Sequence, residues 1–450
     1  MPHRTCLSIV LAAGLGTRMR SKLPKVLHEI GGLSMISHVL NTVQAAGSDA
    51  IAVVIGPQMD ELETQLRARE NVAPFVQNER LGTAHAVLAA RRALESGADD
   101  ILVLFGDTPL VTSGTIARVR EALSAGADMV VVGFEAENPF GYGRLLMDGD
   151  RLAAIREEKD ASASERVATF CNSGIMGFSG VHALRILDAI GNQNTKGEYY
   201  LTDAVEIANA QSLKVVAVSA EEDEVQGINT KGQLAKCEAV FQAKMRQAAM
   251  ENGVTLIAPE TVFFAHDTRL AADVVVEQNV VFAAGVSVED GARIRAFSHL
   301  EGAKVGAGSV VGPYARLRPG ATLSDQSHIG NFVEIKNATI GVGAKVNHVS
   351  YIGDASVGSR SNVGAGTITC NYDGINKHRT EIGAGSFVGS NSTLVAPVSL
   401  GTGAYVAAGS VVTDPVPRDA LAVGRQRQVN KEGRAKTLRA KLQAQKDKTR

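Results

Sequence analysis

Short apolar runs alternate with longer mixed segments along the first half of the chain. The runs occupy positions 7–11, 51–55, 101–105, 129–134 and 214–219. Apolar runs of this length are typical of buried strands, and the segments between them have room for helices. The alternation predicts an α/β unit, with a mostly parallel sheet and helices on its faces. Ligands bind such sheets at the carboxyl ends of the strands, so residues after positions 11 and 105 are the first candidates for a site.

A period of six residues dominates the second half. An α-helix repeats about every 3.6 residues and a strand about every 2, so neither explains this spacing. A hexapeptide period predicts a parallel β-helix. In this fold the stacked coils together bury apolar side chains that a single short strand could not bury. The apolar anchors, with occasional five-residue steps, are Leu270, Val276, Phe282, Val288, Ile294, Leu300, Val305, Val311, Leu317, Leu323, Ile329, Ile335, Ile340, Val346, Ile352, Val357, Val363, Ile382, Val388, Leu394, Leu400, Val406 and Val412.

Three segments lie outside these two patterns. Positions 230–251 carry an apolar stripe at helical spacing, which predicts a helical linker between domains at 1–229 and 252–450. The anchors Val363 and Ile382 are 19 residues apart, so the insertion around positions 369–374 leaves the prism as a loop. Long loops on rigid repeats often carry function. The tail after Arg425 is basic, as expected of a solvated segment.

Composition narrows the classes of function. With 45% hydrophobic and 21% charged residues, the chain has the profile of a globular protein. A formal net charge of −1 gives no electrostatic basis for nucleic-acid binding, and no apolar run approaches the roughly 20 residues of a membrane span. The first residues lack the pattern of a signal peptide, and the 4 cysteines have neither zinc-site spacing nor disulfide density. These features predict a cytoplasmic enzyme or scaffold.

A glycine turn follows the first predicted strand. It begins with Leu11, Ala12, Ala13 and Gly14, and its backbone N–H groups can approach phosphate oxygens. Glycine turns of this kind are often only tight loops, and this one is neither a full dinucleotide fingerprint nor a Walker loop. Arg18 and Lys25 follow it closely, and two cations suit the charge of a nucleoside triphosphate.

A carboxylate stands at the tip of the third apolar run, in Phe105-Gly106-Asp107. An aspartate at this place is often a helix cap or a turn residue. At the ligand-binding edge of a sheet, Asp107 is also a candidate ligand for Mg²⁺, which takes one or two protein oxygens together with phosphates and water.

Motifs in both halves resemble those of one family. The glycine turn L-x-x-G-x-G-T-R-M at 11–19, P-K at 24–25 and G-D at 106–107 resemble sugar-nucleotide pyrophosphorylases. The β-helix carries R-L-R-P-G at 316–320, G-A-G-T at 364–367 and N-Y-D-G at 371–374. Nearly the whole chain resembles the bacterial bifunctional N-acetylglucosamine-1-phosphate uridyltransferases/glucosamine-1-phosphate acetyltransferases. The resemblance implies a Rossmann-like nucleotidyltransferase domain, a left-handed β-helix and a homotrimer. It also implies formation of UDP-N-acetylglucosamine, a precursor of peptidoglycan and lipopolysaccharide.

The resemblance also implies residue roles in the first half. Arg18 would act catalytically on the phosphates beside Lys25, and Asp107 and Asn229 would hold Mg²⁺. The nucleotide would be lined by Leu11, Ala12, Ala13 and Gly14, the uracil read by Gln77, Gly82 and Thr83, and the sugar bound by Gly143, Glu157, Asn172 and Asn229. The sequence departs from the usual family pattern at Leu15 (often lysine), Phe105 (tyrosine), Ser173 (threonine) and Thr230 (asparagine).

For the second half, the resemblance implies an acetyl-transfer site. Acetylation needs a neutral amine and hence a base, for which histidine is suited, and His348 matches the family's catalytic one. Arg318 and Lys336 lie 18 positions apart, about one coil, so their stacked charges favour an anionic ligand. The sugar phosphate would be held by Arg318, Lys336, Tyr351 and Asn362, with Asn371 and Tyr372 on the inserted loop reaching a neighbouring subunit. Acetyl-CoA would lie along Ala365, Ser390, Ala408 and Arg425.

Two other interpretations compete with this one. A regulatory scaffold, such as a translation-factor exchange subunit, can pair the same folds without chemistry, but should lack at least one of Arg18, Lys25, Asp107 and His348. A pyrophosphorylase for another hexose phosphate with an inert repeat domain leaves His348 and the N-Y-D-G loop unexplained. The sequence therefore favours an enzyme with two sites, whose small-molecule partners are UTP, glucosamine 1-phosphate, N-acetylglucosamine 1-phosphate and acetyl-CoA.

Overall fold

The chain divides into two compact units, Met1–Gln247 and Ala248–Arg450, in a computed structural model that describes residues 4–194 and 196–448. Each unit has its own main sheet. Within the described ranges, no helix is both long and apolar enough to cross a membrane.

The first unit is an α/β fold. Its strands are β1 (Cys6–Leu11), β2 (Glu29–Ile30), β3 (Leu33–Ser34), β4 (Ala50–Ile55), β5 (Val72–Val76), β6 (Asp100–Phe105), β7 (Met129–Glu135), β8 (Arg144–Asp148), β9 (Arg151–Arg156), β10 (Phe170–Ser179) and β11 (Val215–Ser219). Its helices are α1 (Met35–Ala45), α2 (Asp60–Arg67), α3 (Thr83–Ala89), α4 (Arg91–Leu94), α5 (Ser113–Ser124), α6 (Gly180–Asp188), α7 (Ala204–Ala210), α8 (Glu222–Val225) and α9 (Lys231–Glu251).

The main sheet has the order β11-β7-β10-β6-β1-β4-β5, and β8 and β9 extend from β10. Strands β6, β1, β4 and β5 run parallel, as the apolar runs predict. Strand β10 is antiparallel to both β6 and β7, so the sheet is mixed rather than uniformly parallel. The carboxyl ends of β1, β4 and β6 meet at one edge, where the glycine turn begins.

Both faces of this sheet are covered. All six residues of β1 are buried, and they divide between two cores. Leu7, Ile9 and Leu11 pack into one core, whereas Cys6 and Val10 pack into the other. Because successive side chains of a strand point to opposite faces, a continuous apolar run is what a strand between two layers requires.

Helix α9 coincides with the segment predicted as a helical linker. Its Glu238 side chain accepts a hydrogen bond from the Gly31 N–H at 2.8 Å. Its Phe241 ring packs edge-on against His38 at 5.7 Å between ring centroids. These contacts attach the helix to the first unit.

The second unit is a parallel β-helix. Its strands, β12 to β34, are Thr255–Leu256, Phe263–Phe264, Arg269–Leu270, Val275–Val276, Val281–Phe282, Ser287–Val288, Arg293–Ile294, His299–Leu300, Lys304–Val305, Val310–Val311, Arg316–Leu317, Thr322–Leu323, His328–Ile340, Lys345–Val357, Asn362–Val363, Ile368–Cys370, Thr380–Ile382, Phe387–Val388, Thr393–Val395, Val398–Leu400, Tyr405–Val406, Val411–Val412 and Leu421–Ala422.

Each short strand pairs in parallel with the strand three places later. Val276 lies beside Ile294, and Val288 lies beside Val305, so one coil takes three hexads with occasional shortening. The predicted anchors are buried inside the coil except Leu270, which is half-buried near the start of the stack. The period of six is confirmed.

Two elements differ from a simple stack of short strands. β24 (His328–Ile340) and β25 (Lys345–Val357) each run through a corner and pair along most of their length, including Asn331 beside His348. The inserted segment then leaves the coil and closes on itself, with Tyr372 bridged to Lys377. The basic tail ends in an exposed helix, α10 (Arg434–Lys448).

Candidate active sites

The glycine turn extends the carboxyl edge of the sheet. The Ala12 N–H donates to the Val54 carbonyl at 2.7 Å, and the Gly106 N–H donates to the Leu11 carbonyl at 2.9 Å. The side chains of Leu11, Ala12 and Ala13 are buried, so this segment offers its backbone to a ligand. Gly14, the next residue, has nothing within 4 Å of the place where a Cβ would lie, so the turn opens to solvent there.

Gly16 brings the turn against the Pro24-Lys25 segment. Its φ is +60°, and a Cβ at this position would lie 2.6 Å from the Lys25 Cβ. Both the left-handed backbone and the close approach exclude larger residues. The turn therefore places Lys25 beside the strand ends, and Arg18 lies in the short helical turn Thr17–Met19 that follows Gly16.

Four predicted residues meet in one polar cluster. The Lys25 ammonium contacts the Asp107 carboxylate and donates to the Asn229 Oδ1 at 3.0 Å. Arg18 donates to the same Asn229 oxygen at 2.8 Å. The backbone fixes the cluster further, because the Ile228 N–H donates to the Asp107 carbonyl at 3.0 Å. The sequence placed Asp107 and Asn229 more than a hundred residues apart, and the fold brings them together.

The donor set of this cluster suits Mg²⁺. The Asp107 carboxylate and the Asn229 amide oxygen both contact one cationic group, the Lys25 ammonium, so the two oxygens can address a single cation. A hard divalent ion prefers such oxygens and takes its remaining ligands from phosphates and water. The residues present therefore fit the metal that the resemblance implies.

Gln77 is held at the turn that precedes α3. Its side chain is only 4% exposed, and its Nε2 donates to the Gly82 carbonyl at 3.4 Å and lies 3.1 Å from the His85 Nδ1. Because a carbonyl oxygen can only accept, the amide NH₂ must face Gly82, which directs the Gln77 Oε1 elsewhere. His85, which belongs to none of the sequence motifs, helps to orient this amide.

Gly82 and Thr83 attach the same turn to the segment before α7. Gly82 has φ +119°, and a Cβ there would lie 2.4 Å from the Tyr199 carbonyl oxygen. Thr83 Oγ1 accepts a hydrogen bond from the Leu201 N–H at 2.9 Å. The predicted uracil-reading residues Gln77, Gly82 and Thr83 thus lie on one tightly packed turn.

The predicted sugar residues also converge. The Asn172 N–H donates to the Gly143 carbonyl at 2.8 Å, and the place of a Gly143 Cβ lies 3.6 Å from the Glu157 Oε1. Burial raises the pKa of Glu157, and the nearby Asp160 carboxylate raises it further. A half-buried carboxylate next to a glycine can act as a hydrogen-bond acceptor for a sugar hydroxyl group.

A partly buried ion pair lies next to these predicted sugar residues in sequence. Arg144 is 2% exposed at the side chain, and its guanidinium lies 2.7 Å from the Glu158 carboxylate. Each of these residues follows a predicted sugar residue, Gly143 or Glu157. The sequence shows two charges there, but only the fold shows that they are paired and that Arg144 is buried.

His348 lies on β25 with an oriented imidazole. Its Nδ1 is 2.7 Å from the Oδ1 of Asn331, which lies 17 residues earlier. Because the amide oxygen only accepts, a neutral ring carries its proton on Nδ1 and presents the Nε2 lone pair. The next residue, Val349, has φ +43°, a strained conformation for a β-branched side chain, so the surrounding coil must hold the backbone beside the base.

Arg318 and Lys336 are each paired with a carboxylate. The expectation that repulsion between two unpaired cations favours an anionic ligand is therefore wrong. Arg318 donates to Glu334 at 2.9 Å, and that hydrogen bond raises the Arg318 pKa. Lys336 lies 3.5 Å from Asp354. The two cations remain neighbours, because the Arg318 N–H donates to the Ile335 carbonyl at 2.8 Å. A phosphate would bind to two cations that their carboxylate partners already hold in place.

Asp354 connects Lys336 to the inserted segment that carries Asn371. Burial raises its pKa, but hydrogen bonds from Asn337 and Asn371 and the Lys336 ammonium outweigh burial and hold the pKa below its usual value. Asn371 is therefore turned toward Asp354 of its own chain, and its side chain is buried, contrary to the expectation of an outward reach. Tyr372, the next residue, is exposed, and its hydroxyl donates to the Gly374 carbonyl of the same loop at 2.6 Å.

The remaining predicted residues follow edges of the β-helix. Tyr351 lies beside Glu334, and Asn362 lies between Lys345 and Phe387 on neighbouring coils. One edge of the β-helix continues from His348 toward the later coils. It is traced by hydrogen bonds between Gly366 and Val349, Asn391 and Ala365, and Gly409 and Ser390, and by Arg425 against Gly409. His348, Ala365, Ser390, Ala408 and Arg425 thus form a continuous row.

Comparison with known proteins decides the family. Residues 8–169 match the family described as a MobA-like NTP transferase domain, and residues 379–414 match the hexapeptide repeat of succinyl-transferase. The "Bifunctional protein GlmU" of Azorhizobium caulinodans is 61% identical over 441 residues, 98% of each chain. Proteins of the same name from Bradyrhizobium sp. and Agrobacterium fabrum are 59% and 55% identical. These two alignments cover 98% and 99% of this chain and 99% and 98% of the relatives. The chain belongs to the GlmU family.

Membership confirms the predicted family and fold. The chain is a bifunctional enzyme with a nucleotidyltransferase unit and a hexapeptide-repeat acetyltransferase unit. Its β-helix is of the left-handed hexapeptide kind that the resemblance implies. The scaffold interpretation fails, because both units keep their chemical residues, Lys25 with Asp107 in one and His348 in the other.

Proposed function

We propose that the β-helix acetylates glucosamine 1-phosphate with acetyl-CoA, and that the first unit joins the product to UTP. The products are CoA, pyrophosphate and UDP-N-acetylglucosamine, which is a precursor of peptidoglycan and lipopolysaccharide. The observation that carries the proposal is the full-length likeness to bifunctional relatives in a chain whose two units both hold ordered reactive groups. The working boundaries are 1–229 for uridylyl transfer, 230–251 for the linker and 252–450 for acetyl transfer.

Acetyl transfer uses His348 as the base. Its Nε2 accepts a proton as the sugar amine attacks the thioester carbonyl, so an N–C bond forms and the C–S bond to CoA breaks. The proton then passes to the departing thiolate. Arg318 and Lys336, together with Tyr351 and Asn362, hold the sugar phosphate. The row through Ala365, Ser390 and Ala408 holds the pantetheine arm and leads to Arg425, whose guanidinium suits a CoA phosphate.

Uridylyl transfer takes place at the strand ends of the first unit. A phosphate oxygen of N-acetylglucosamine 1-phosphate attacks the α-phosphorus of UTP, and the bond to pyrophosphate breaks. Arg18 and Lys25 neutralise charge on the phosphates, while the turn of Gln77, Gly82 and Thr83 reads the uracil. The Mg²⁺ ion that Asp107 and Asn229 would hold supplies further neutralisation of the phosphate oxygens.

A product assay with single omissions tests this proposal. Glucosamine 1-phosphate, acetyl-CoA, UTP and Mg²⁺ together should yield UDP-N-acetylglucosamine. Omission of acetyl-CoA should stop the reaction at its start, whereas omission of UTP should let N-acetylglucosamine 1-phosphate accumulate. A chelator should abolish UDP-sugar formation and spare acetylation, because Asp107 and Asn229 would hold Mg²⁺ beside the phosphates in the first unit, whereas His348 acts as a base without a metal. Equal loss of both activities on chelation contradicts the assignment.

A homotrimer is the proposed assembly. Phe297, Tyr314 and Phe332 stack at 4.9 and 5.1 Å between ring centroids along an exposed corner of the β-helix. Val349, the residue after the catalytic base, continues this corner and is also exposed. An exposed apolar stripe of this kind marks an interface, and cyclic symmetry lets each copy cover the stripe of the next.

Light scattering should therefore give about 142 kDa, three times the chain mass of 47.2 kDa. Phe332→Glu should dissociate the assembly and abolish acetyl transfer while uridylyl transfer continues, because the charge lies on the exposed stripe and not in a core. A fully active particle of about 47 kDa contradicts the trimer.

A cytoplasmic location is proposed together with these activities. UTP and acetyl-CoA are substrates of the cytoplasm, and all four cysteine thiols are free, as is usual in a reducing compartment.

A further inference from the structure

The glycine turn carries an uncharged residue, Leu15, where the related family often has a lysine. The resemblance shows that lysine often stands at this position, close to the site of the triphosphate. Leu15 is 67% exposed, so its side chain does not fill a core, and it carries no charge. A nucleoside triphosphate would therefore meet a less cationic turn in this chain.

Arg80 brings a cation to the same turn from another segment. Its Nε donates to the Ala13 carbonyl at 2.8 Å, and Ala13 directly precedes Gly14. The two residues are 67 positions apart in sequence, so the contact is a product of the fold. Neither the sequence motifs nor the predicted residue roles include Arg80.

The Arg80 guanidinium occupies the space beside Gly56. Gly56 follows the last residue of β4, and a Cβ there would lie 2.6 Å from an Arg80 Nη and 3.3 Å from the Ala13 carbonyl oxygen. The guanidinium therefore lies at the carboxyl ends of β1 and β4, the edge at which such sheets bind ligands. The absence of a side chain at Gly56 permits this position.

The guanidinium also keeps donors for a ligand. Arginine has five N–H donors, and the Ala13 carbonyl takes only the one on Nε. Among residues 4–194 and 196–448, no carboxylate forms an ion pair with Arg80, and its side chain is exposed. An arginine fixed at Nε with free terminal nitrogens can bind phosphate oxygens through two parallel hydrogen bonds.

We propose that Arg80 binds the triphosphate of UTP and replaces the charge that the turn lacks at Leu15. The proposal rests on the uridylyl transfer proposed above. The competing view is that Arg80 only anchors the turn of Gln77 to the glycine turn through its hydrogen bond to Ala13. The two views differ in what they require, since a phosphate contact needs the charge and an anchor needs only the N–H donor.

Kinetics of four variants separate these views in the intact enzyme. Arg80→Ala removes both charge and donor, and Arg80→Gln removes the charge but keeps an N–H donor on a shorter side chain. Arg80→Gln/Leu15→Lys returns the charge to the other side of the turn. Arg92→Ala, at an exposed position of α4, removes one positive charge from the same unit as a matched control.

The KM for UTP should rise about tenfold in Arg80→Ala and in Arg80→Gln, the loss expected for one charge-assisted contact. Leu15→Lys should return the KM of Arg80→Gln to within about twofold of wild type. The KM for N-acetylglucosamine 1-phosphate, the acetyltransferase rate and all constants of Arg92→Ala should stay unchanged.

Wild-type behaviour of Arg80→Gln, or failure of Leu15→Lys to restore UTP binding, would overturn the proposal in favour of an anchor. If the wild-type enzyme forms no UDP-sugar at all, the proposed function fails instead, and the two failures are thereby distinguished.

Discussion

Replacement of His348 by alanine should slow acetyl transfer by roughly 10² to 10⁴, the usual contribution of a positioned general base. The Nε2 lone pair is directed by the hydrogen bond to Asn331, and an alanine leaves nothing there to accept the amine proton. Formation of UDP-N-acetylglucosamine from supplied N-acetylglucosamine 1-phosphate should continue at the wild-type rate. Acetylation is measured by release of free CoA thiol, and uridylyl transfer by release of pyrophosphate.

His299→Ala is the matched control, because His299 is an exposed histidine on the same β-helix. Both activities should survive in that variant. Normal acetylation by His348→Ala would mean that another residue or water removes the proton. An Asn331→Ala variant should lower the acetylation rate by a smaller factor than His348→Ala does. It should also change the pH profile of acetylation, since the His348 ring would lose its preferred tautomer.

Replacement of Asp107 by alanine should have the opposite selectivity. Uridylyl transfer should fall by about 10² to 10³, since one charged contact to the reacting phosphates and their metal is lost. The same change also releases Lys25 from the carboxylate that holds it. Acetyl transfer, measured on the same preparation, should remain at the wild-type rate and confirms folding of the second unit.

Asp188→Ala serves as the control for this variant. Asp188 belongs to an exposed pair with Arg91 on the same unit, and such surface pairs contribute little to stability. Loss of uridylyl transfer in both variants would point to general damage of the unit. Loss of acetyl transfer in Asp107→Ala, with assembly intact, would show that the two sites are coupled.

The architecture could be predicted from the sequence because it depends on local periodicity. The period of six survives in the structure as buried anchors from Val276 to Val412, and the apolar run at 7–11 becomes a strand buried on both faces. Antiparallel β10 was missed because its direction depends on neighbours far along the chain. The long strand β25 was missed because its corner residues pair only once the coils are stacked.

The partners of the predicted residues could be predicted only in part. Asn331 lies one coil before His348, so coil arithmetic could have found it. The pairing of Lys336 with Asp354, and the turn of Asn371 toward the same carboxylate, depend on side-chain directions that spacing does not give. Arg80 could not be found at all, because only the folded chain places it on the Ala13 carbonyl.

The central claim is that one chain carries two separate active sites, and mixing the two inactive variants tests it most directly. With glucosamine 1-phosphate, acetyl-CoA, UTP and Mg²⁺, neither His348→Ala nor Asp107→Ala alone should form UDP-N-acetylglucosamine at more than a few per cent of the wild-type rate. A mixture of the two separately purified variants should restore it, because N-acetylglucosamine 1-phosphate made by Asp107→Ala can diffuse to the intact strand-end site of His348→Ala. A mixture that stays inactive, although each variant keeps its predicted half-reaction, would contradict independent sites joined by a free intermediate.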